Sequence, residues 1–238
     1  MTQAAYRYRL LSHPSTRTVE NVTDRTSNPF GMRPPCETPC TPGSVAAVYG
    51  YGDANADFHV VGDYPGRYGG RTTGVPFTET VAAGRLQSVL HEVGLFAAPY
   101  SDEPAVRNLF LSYLHMCCTP DDRRPTAAEY ADMERFFDAE LRAITADVIV
   151  PVGQRAVEHV LRSYTSQAHR HELDHRALHA TELHGSGFLV VPLADPTGWD
   201  DDDRADAVER LRAVLDSNYQ QLSDLGRFRP GGESYLVR

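Results

Sequence analysis

The sequence predicts a three-layer α/β domain built on a central, mainly parallel sheet. Three observations predict it. Apolar runs of strand length recur at 58–61, 108–114, 147–152 and 188–193, separated by stretches whose apolar residues fall at helical spacing. The runs are apolar almost throughout rather than alternating, which is the pattern of strands covered by helices on both faces. At 238 residues and 41% hydrophobic content the chain can bury one sizeable core, and nothing in it marks a second. Residues 45–226 are therefore expected to form the domain, with 1–44 an irregular extension rich in Pro, Thr, Ser and Arg and 227–238 a frayed tail.

The elements follow in order. Val45 to Tyr49 reads as a short edge strand, and Gly50, Gly52, Asp53 and Asn55 as a turn. Phe58 to Val61 is the central strand. It runs into a loop carrying Gly62, Gly66, Gly69, Gly70 and Gly74, residues that let backbone approach a ligand closely. From Thr80 a helical pattern (Ala82, Leu86, Val89, Leu90, Val93) extends to about Gly94. Asn108 to Leu114 is the next strand, ending in His115, Met116, Cys117, Cys118, Thr119 and Pro120. Thr126 with Glu129 is a capping box that opens a helix through Tyr130, Met133, Phe137, Leu141 and Ile144. Asp147 to Val152 is a buried strand, and Gly153 starts a helix carrying Ala156, Val157, Val160 and Leu161. Residues 165–184 hold His169, His171, His175, His179 and His184. As a helix they would bring His171, His175 and His179 to one face, a zinc geometry, but a solvated insertion is the better reading. Phe188 to Leu193 is a further strand. Asp200 to Asp203 then open a last helix (Val208, Leu211, Val214, Leu215, Tyr219, Leu222), at whose amino end carboxylates are favoured by the helix dipole.

The formal charge is -9, and all 23 basic residues are arginine, a composition like that of salt-adapted proteins. Net acidity has the wrong sign for a generic nucleic-acid binder. At high salt, however, the counterion-release term that rewards a basic surface is suppressed, and Arg67, Arg71, Arg123 and Arg124 still gather in two loops. No apolar stretch approaches the ~18 residues of a bilayer span, and the first residues lack an apolar signal core. A cytoplasmic monomer without a membrane partner is expected. Four cysteines stand as Cys36, Cys40, Cys117 and Cys118. Their pairing fits a metal or cluster site and fits ordinary buried thiols equally well.

Three strand ends carry unusual residues: Gly62 to Gly66, Tyr113 to Pro120, and Ala194 to Gly198. In a doubly wound sheet these ends lie on one edge, so the three loops can line one cleft.

These residues resemble the uracil-DNA glycosylase superfamily, and within it the thermophilic and archaeal branch that carries an iron-sulfur cluster. The stretch from Val48 to Gly66 is similar to that branch's first motif, Gly74 to Phe77 to its Gly-x-Pro-Phe, Cys117 to Pro125 to its cluster-cysteine loop, and Asp147 to Gly153 to its Val-Ile-Val-x-x-Gly strand. The resemblance implies a DNA partner, single-stranded or damaged, and a flipped base stacked on Phe77. The base would be held by Gly62, Tyr64, Pro65 and Gly66, with Tyr113 at the end of the second strand. It implies Asp63 as the acidic group near the sugar, and Asp195 at the last motif. It also implies a 4Fe-4S cluster on Cys36, Cys40 and Cys117, with Cys118 as substitute for the fourth thiolate. The departures are specific. Tyr113 stands where the family usually has Asn, Asp195 where it has His, and Met133 where it has its fourth cysteine; Cys36 and Cys40 are separated by three residues where the family commonly has two. An Asp at the last motif would repel a departing uracil anion unless protonated, so a turn or cap role suits it better. The implied activity is hydrolysis of the N-glycosidic bond of uracil or another damaged base. The alternatives are a catalytically silent nucleic-acid-binding member and an interaction protein that keeps only the fold.

Overall fold

A computed structural model describes residues 33–36, 39, 41–171, 173–185, 187–219 and 236–237. Most of the 1–44 extension, Cys40 and most of the 227–238 tail lie outside the described residues. The described strands are β1 (Tyr51–Asp53), β2 (Phe58–Gly62), β3 (Leu109–Tyr113), β4 (Val148–Pro151), β5 (Leu183–His184), β6 (Leu189–Val190) and β7 (Leu236–Val237). They form one sheet of order β5-β6-β4-β2-β3-β1-β7. Its centre is parallel: β2 pairs with β3 and β4, and β4 with β6, whereas β5, β1 and β7 add on antiparallel. This is the mixed, mainly parallel α/β architecture that the alternation of apolar runs and amphipathic stretches predicts.

Helices cover both faces. On one, α2 (Val81–Glu92) and α5 (Asp201–Asp216) bury Ala82, Leu86, Val89, Leu90, Ala207, Val208, Leu211 and Val214 against Phe58, Val60, Leu111 and Val150. On the other, α3 (Ala127–Ile144) and α4 (Gln154–Tyr164) bury Tyr130, Phe137, Leu141, Val157, Val160 and Leu161 against Val61, Ile149 and Val190. Neighbours in one strand thus serve opposite cores, as period-2 side chains must.

Local chemistry sets the helix starts. The Thr80 hydroxyl accepts the N–H of Ala83. Thr126 and Glu129 close the expected capping box, and Asp200 with Asp203 closes a second. The four-residue α1 (Pro65–Tyr68) sits inside the Gly-rich loop, opened by a proline whose missing N–H costs nothing in a first turn.

Two expectations shift. The stretch read as a turn holds strand β1, because its glycines serve close packing rather than reversal. A Cβ on Gly52 (φ +125) would collide with the Leu109 carbonyl, and one on Gly50 would fall 2.5 Å from a Glu140 oxygen. Ala47, inside the expected edge strand, makes only an isolated bridge with Cys117. The histidine-rich stretch forms turns and a short 3-10 segment rather than a helix. His179 is fastened there by the Asp203 carbonyl at 2.7 Å and the Ala194 N–H at 2.9 Å. Among the described residues no group of three or more His, Cys, Asp or Glu side chains could hold a metal ion, which sets the zinc geometry aside for them. Among the same residues no helix is long and apolar enough to cross a membrane.

Candidate active site

The carboxyl ends of β2, β3 and β4 lie side by side. The N–H of Leu114 donates to the Gly62 carbonyl and that of His115 to the Asp63 carbonyl, both at 3.0 Å. The N–H of Gly153, after β4, donates to Leu193 at 2.8 Å. Loops following β2, β3 and residue 193 therefore meet on one edge, and between them they contribute to two groups of polar side chains.

The first group surrounds Asp63. This carboxylate is buried and accepts a short hydrogen bond from the Tyr130 hydroxyl of α3. Arg155, in the first turn of α4, lays its guanidinium 3.7 Å from the Tyr130 ring centre, and the His115 ring meets the same tyrosine edge-on at 5.6 Å. Burial pushes the Asp63 carboxyl above its usual range, opposed by the Tyr130 hydroxyl and by the positive charges of Arg124, Arg155 and Arg67. The positive charges favour the ionised form against the cost of burial.

The second group surrounds Asp195. Its carboxylate receives the Thr197 N–H at 2.8 Å, capping the 3-10 turn Pro196–Gly198. Arg67 pairs with it, Nε lying 2.6 Å from Oδ2, and the Tyr68 hydroxyl lies 3.1 Å from the same oxygen. Burial pushes this acid up, but the Thr197 and Arg67 hydrogen bonds and the Arg67 charge outweigh it and hold Asp195 below its ordinary value. A charge held this way is balanced by Arg67, so the repulsion expected of a bare carboxylate at the last motif is relieved. The indole Nε1–H of Trp199 donates to the Ala194 carbonyl at 3.0 Å. Arg85 of α2 binds the carbonyls of Pro196 and Thr197, each at 2.8 Å, so the loop is rigidly fixed.

Between the two groups lies an aromatic cluster. Phe77 is fully buried, its ring 5.5 Å from that of Tyr68 and 5.2 Å from that of Tyr113. Phe77 and Glu79 both take positive φ (57° and 68°), an uncommon conformation for residues with side chains and one that concentrates at functional loops. The Glu79 carboxylate receives the N–H groups of Thr72 and Thr73 at 2.8 and 2.6 Å, closing the loop on itself. Tyr64 and Pro65 lie at the start of α1, buried, with Gly66 following. A Cβ on Gly66 would fall 2.7 Å from the Tyr64 ring.

The cysteines separate. Cys36 and Cys117 form a disulfide, with Met116 and Met133 packed about Cys117. Cys118 is buried, lies outside that disulfide and belongs to the other core. Cys118, expected as the substitute ligand, thus packs in a different apolar cluster from the Cys36–Cys117 pair. The sequence does not mark Tyr130, Arg155 or Tyr68 as site residues. Tyr130 sat on an apolar helical stripe, where a tyrosine reads as core, and its polar tip at a helix start beside a strand edge was the one available signal.

Residues 49–212 match the family described as the Uracil DNA glycosylase superfamily. The chain is also similar to proteins named Type-5 uracil-DNA glycosylase from three organisms. The Pyrobaculum aerophilum protein is 34% identical over 127 residues, covering 51% of this chain and 56% of the relative. The Thermus thermophilus protein is 32% identical over 133 residues (55% and 61%), and the Mycobacterium leprae protein 31% over 120 (48% and 52%). The chain thus spans roughly half to three fifths of the length of the curated relatives it matches.

Proposed function

The chain belongs to the uracil-DNA glycosylase superfamily, and from that premise we propose that it hydrolyses the N-glycosidic bond of uracil or another damaged base in DNA. The observation that carries the reading is the buried Asp63 at the end of the central strand, hydrogen-bonded by Tyr130 and under the positive charge of Arg124, Arg155 and Arg67. Cleavage of the bond develops positive charge on the sugar and negative charge on the departing base. Asp63, kept in place by the Tyr130 hydroxyl, is the anion available to the sugar. Arg67, shared with Asp195, is the cation available to the base. Arg71 and Arg123 rim the same edge, where they pair with Asp122 and Glu129 until a phosphate competes.

The cluster implied by the family finds a poor donor set. Among the described residues Cys36 and Cys117 are bonded to each other, Met133 offers an uncharged thioether, and Cys118 faces the other core. Those residues do not fit a four-thiolate cluster, and no step is routed through one.

The test is uracil release from single-stranded and mismatched oligonucleotides at low and high salt. The wild type should release uracil, and Asp63→Asn should lose cleavage while retaining DNA binding, because a carboxylate's value lies in the charged transition state. No release by the wild type under any salt condition would leave the second reading, a catalytically silent DNA-binding member. The complete burial of Phe77 against Tyr68 and Tyr113 favours that alternative.

A further inference from the structure

The end of β2 is roofed by a ring from the neighbouring strand. Tyr113 closes β3 and is almost wholly buried. A Cβ on Gly62 would fall 2.8 Å from two Tyr113 ring carbons and 2.7 Å from Phe77 Cζ, so the space a glycine leaves above the strand end is already filled by aromatic carbon. Tyr68 stacks on the same ring from 6.5 Å.

The hydroxyl of Tyr113 is placed as exactingly as its ring. It accepts the N–H of Phe77 at 2.7 Å and donates to the carbonyl of Gly69 at 3.1 Å. These backbone groups belong to the two limbs of the Gly-rich loop, one leaving α1 and one approaching α2, so a single phenol clasps the loop shut. Without it, a backbone donor and a backbone acceptor would face a space floored by Phe77. That is the complement of a pyrimidine imide edge, which presents a carbonyl acceptor and an N–H donor side by side.

We propose that Tyr113 is a built-in stand-in for the base: its ring fills the base pocket and its hydroxyl occupies the pocket's donor and acceptor, so that only a base able to displace it is admitted. The proposal rests on the glycosylase reading for the identity of the pocket. Displacing the ring gives up two hydrogen bonds and a stacked, buried surface. A base that must also be unpaired and unstacked from a sound duplex bears both costs, whereas a single-stranded or mismatched base bears chiefly one. Tyr113 is thereby a specificity-determining residue that selects already unpaired bases.

The experiment compares wild type, Tyr113→Ala and Tyr113→Phe. Free uracil, followed by titration calorimetry and by NMR, should bind Tyr113→Ala and not the wild type, since an emptied aromatic-lined cavity takes up a planar ligand of matching size. Tyr113→Phe keeps the ring and loses the clasp. It should still refuse uracil, but exchange its Phe77 amide hydrogen about tenfold faster or more, as a lost partner lowers local protection. A folded Tyr113→Ala that binds no uracil overturns the proposal, and so does a wild type that binds it equally well. Should Tyr113→Ala fail to fold, the Phe77 amide of Tyr113→Phe decides, unchanged exchange refuting the clasp and with it the stand-in. Uracil binding by Tyr113→Ala with no excision by any variant keeps the stand-in and sinks the glycosylase reading. Wild-type excision that is equally fast on paired and unpaired uracil, and unaltered in Tyr113→Ala, does the reverse.

Discussion

Asp63 and Asp195 show how one residue type takes two roles at one edge. Both are buried acids beside a tyrosine and an arginine, but Asp195 also caps a turn and is held ionised by Arg67, whereas Asp63 sits with its acidity weakened by burial. The positions of both were legible in the sequence because strand ends and glycines announce themselves. Their partners were not, since Tyr130 lies 67 residues from Asp63 and Arg67 lies 128 from Asp195. Phe77 carries the same lesson: Gly74 to Phe77 marks the loop, but only tertiary packing shows that its ring is buried against both Tyr68 and Tyr113. Phe77→Ala should therefore act on stability as well as on ligand binding. Emptying a site of that size costs about 3–5 kcal/mol, read as a lowered urea midpoint. The same variant should bind single-stranded DNA more weakly; unaltered binding, after correction for unfolded protein, would remove Phe77 from the interface.

Among the elements, α3 was the most legible and holds the largest surprise. Its capping box and apolar stripe gave its start and its buried face from sequence, yet that face also buries Glu140, whose carboxyl oxygens have no hydrogen bond of good geometry near Ser112 and Gly50. Across from it, His59 bonds Ser112 at 2.8 Å while its Nδ1 goes unpaired, and burial lowers its pKa to about 3, so it is neutral. Burial raises Glu140 from 4.5 to about 8. The folded state thus binds this proton more tightly than the unfolded chain does. Its contribution to stability is complete below pH 4.5 and is lost as pH rises through about 8. Glu140→Gln should flatten the dependence of the urea midpoint on pH across that window and gain most over wild type at its alkaline end. Parallel profiles for the two proteins would show that Glu140 does not govern it. No apolar pattern could have revealed this group, because a glutamate on a helix reads as solvated unless its facing strands are known.

For the whole molecule, the order of strands and helices was readable because a buried parallel strand cannot hide its apolar run. The edges were harder to read, since β1 is built on glycines and β5 and β6 are two residues each. The Cys36–Cys117 disulfide joins residues 81 positions apart and encloses β1, β2, α1, α2 and β3. Closing a loop of that length stabilises by roughly 4–5 kcal/mol in the chain-entropy account. A reductant should accordingly lower the thermal midpoint of the wild type and leave Cys36→Ser unmoved, and equal sensitivity in both would show that the bond is not formed in solution. The fixed loop after residue 193 has an optical consequence as well. Trp199 is the chain's one tryptophan, nearly buried, with its indole N–H engaged and the His179 ring 5.7 Å away. All indole fluorescence therefore originates beside Asp195 and Arg67. Emission should be blue-shifted in the native protein, and a change on adding an oligonucleotide would time the arrival of DNA at this edge without any label.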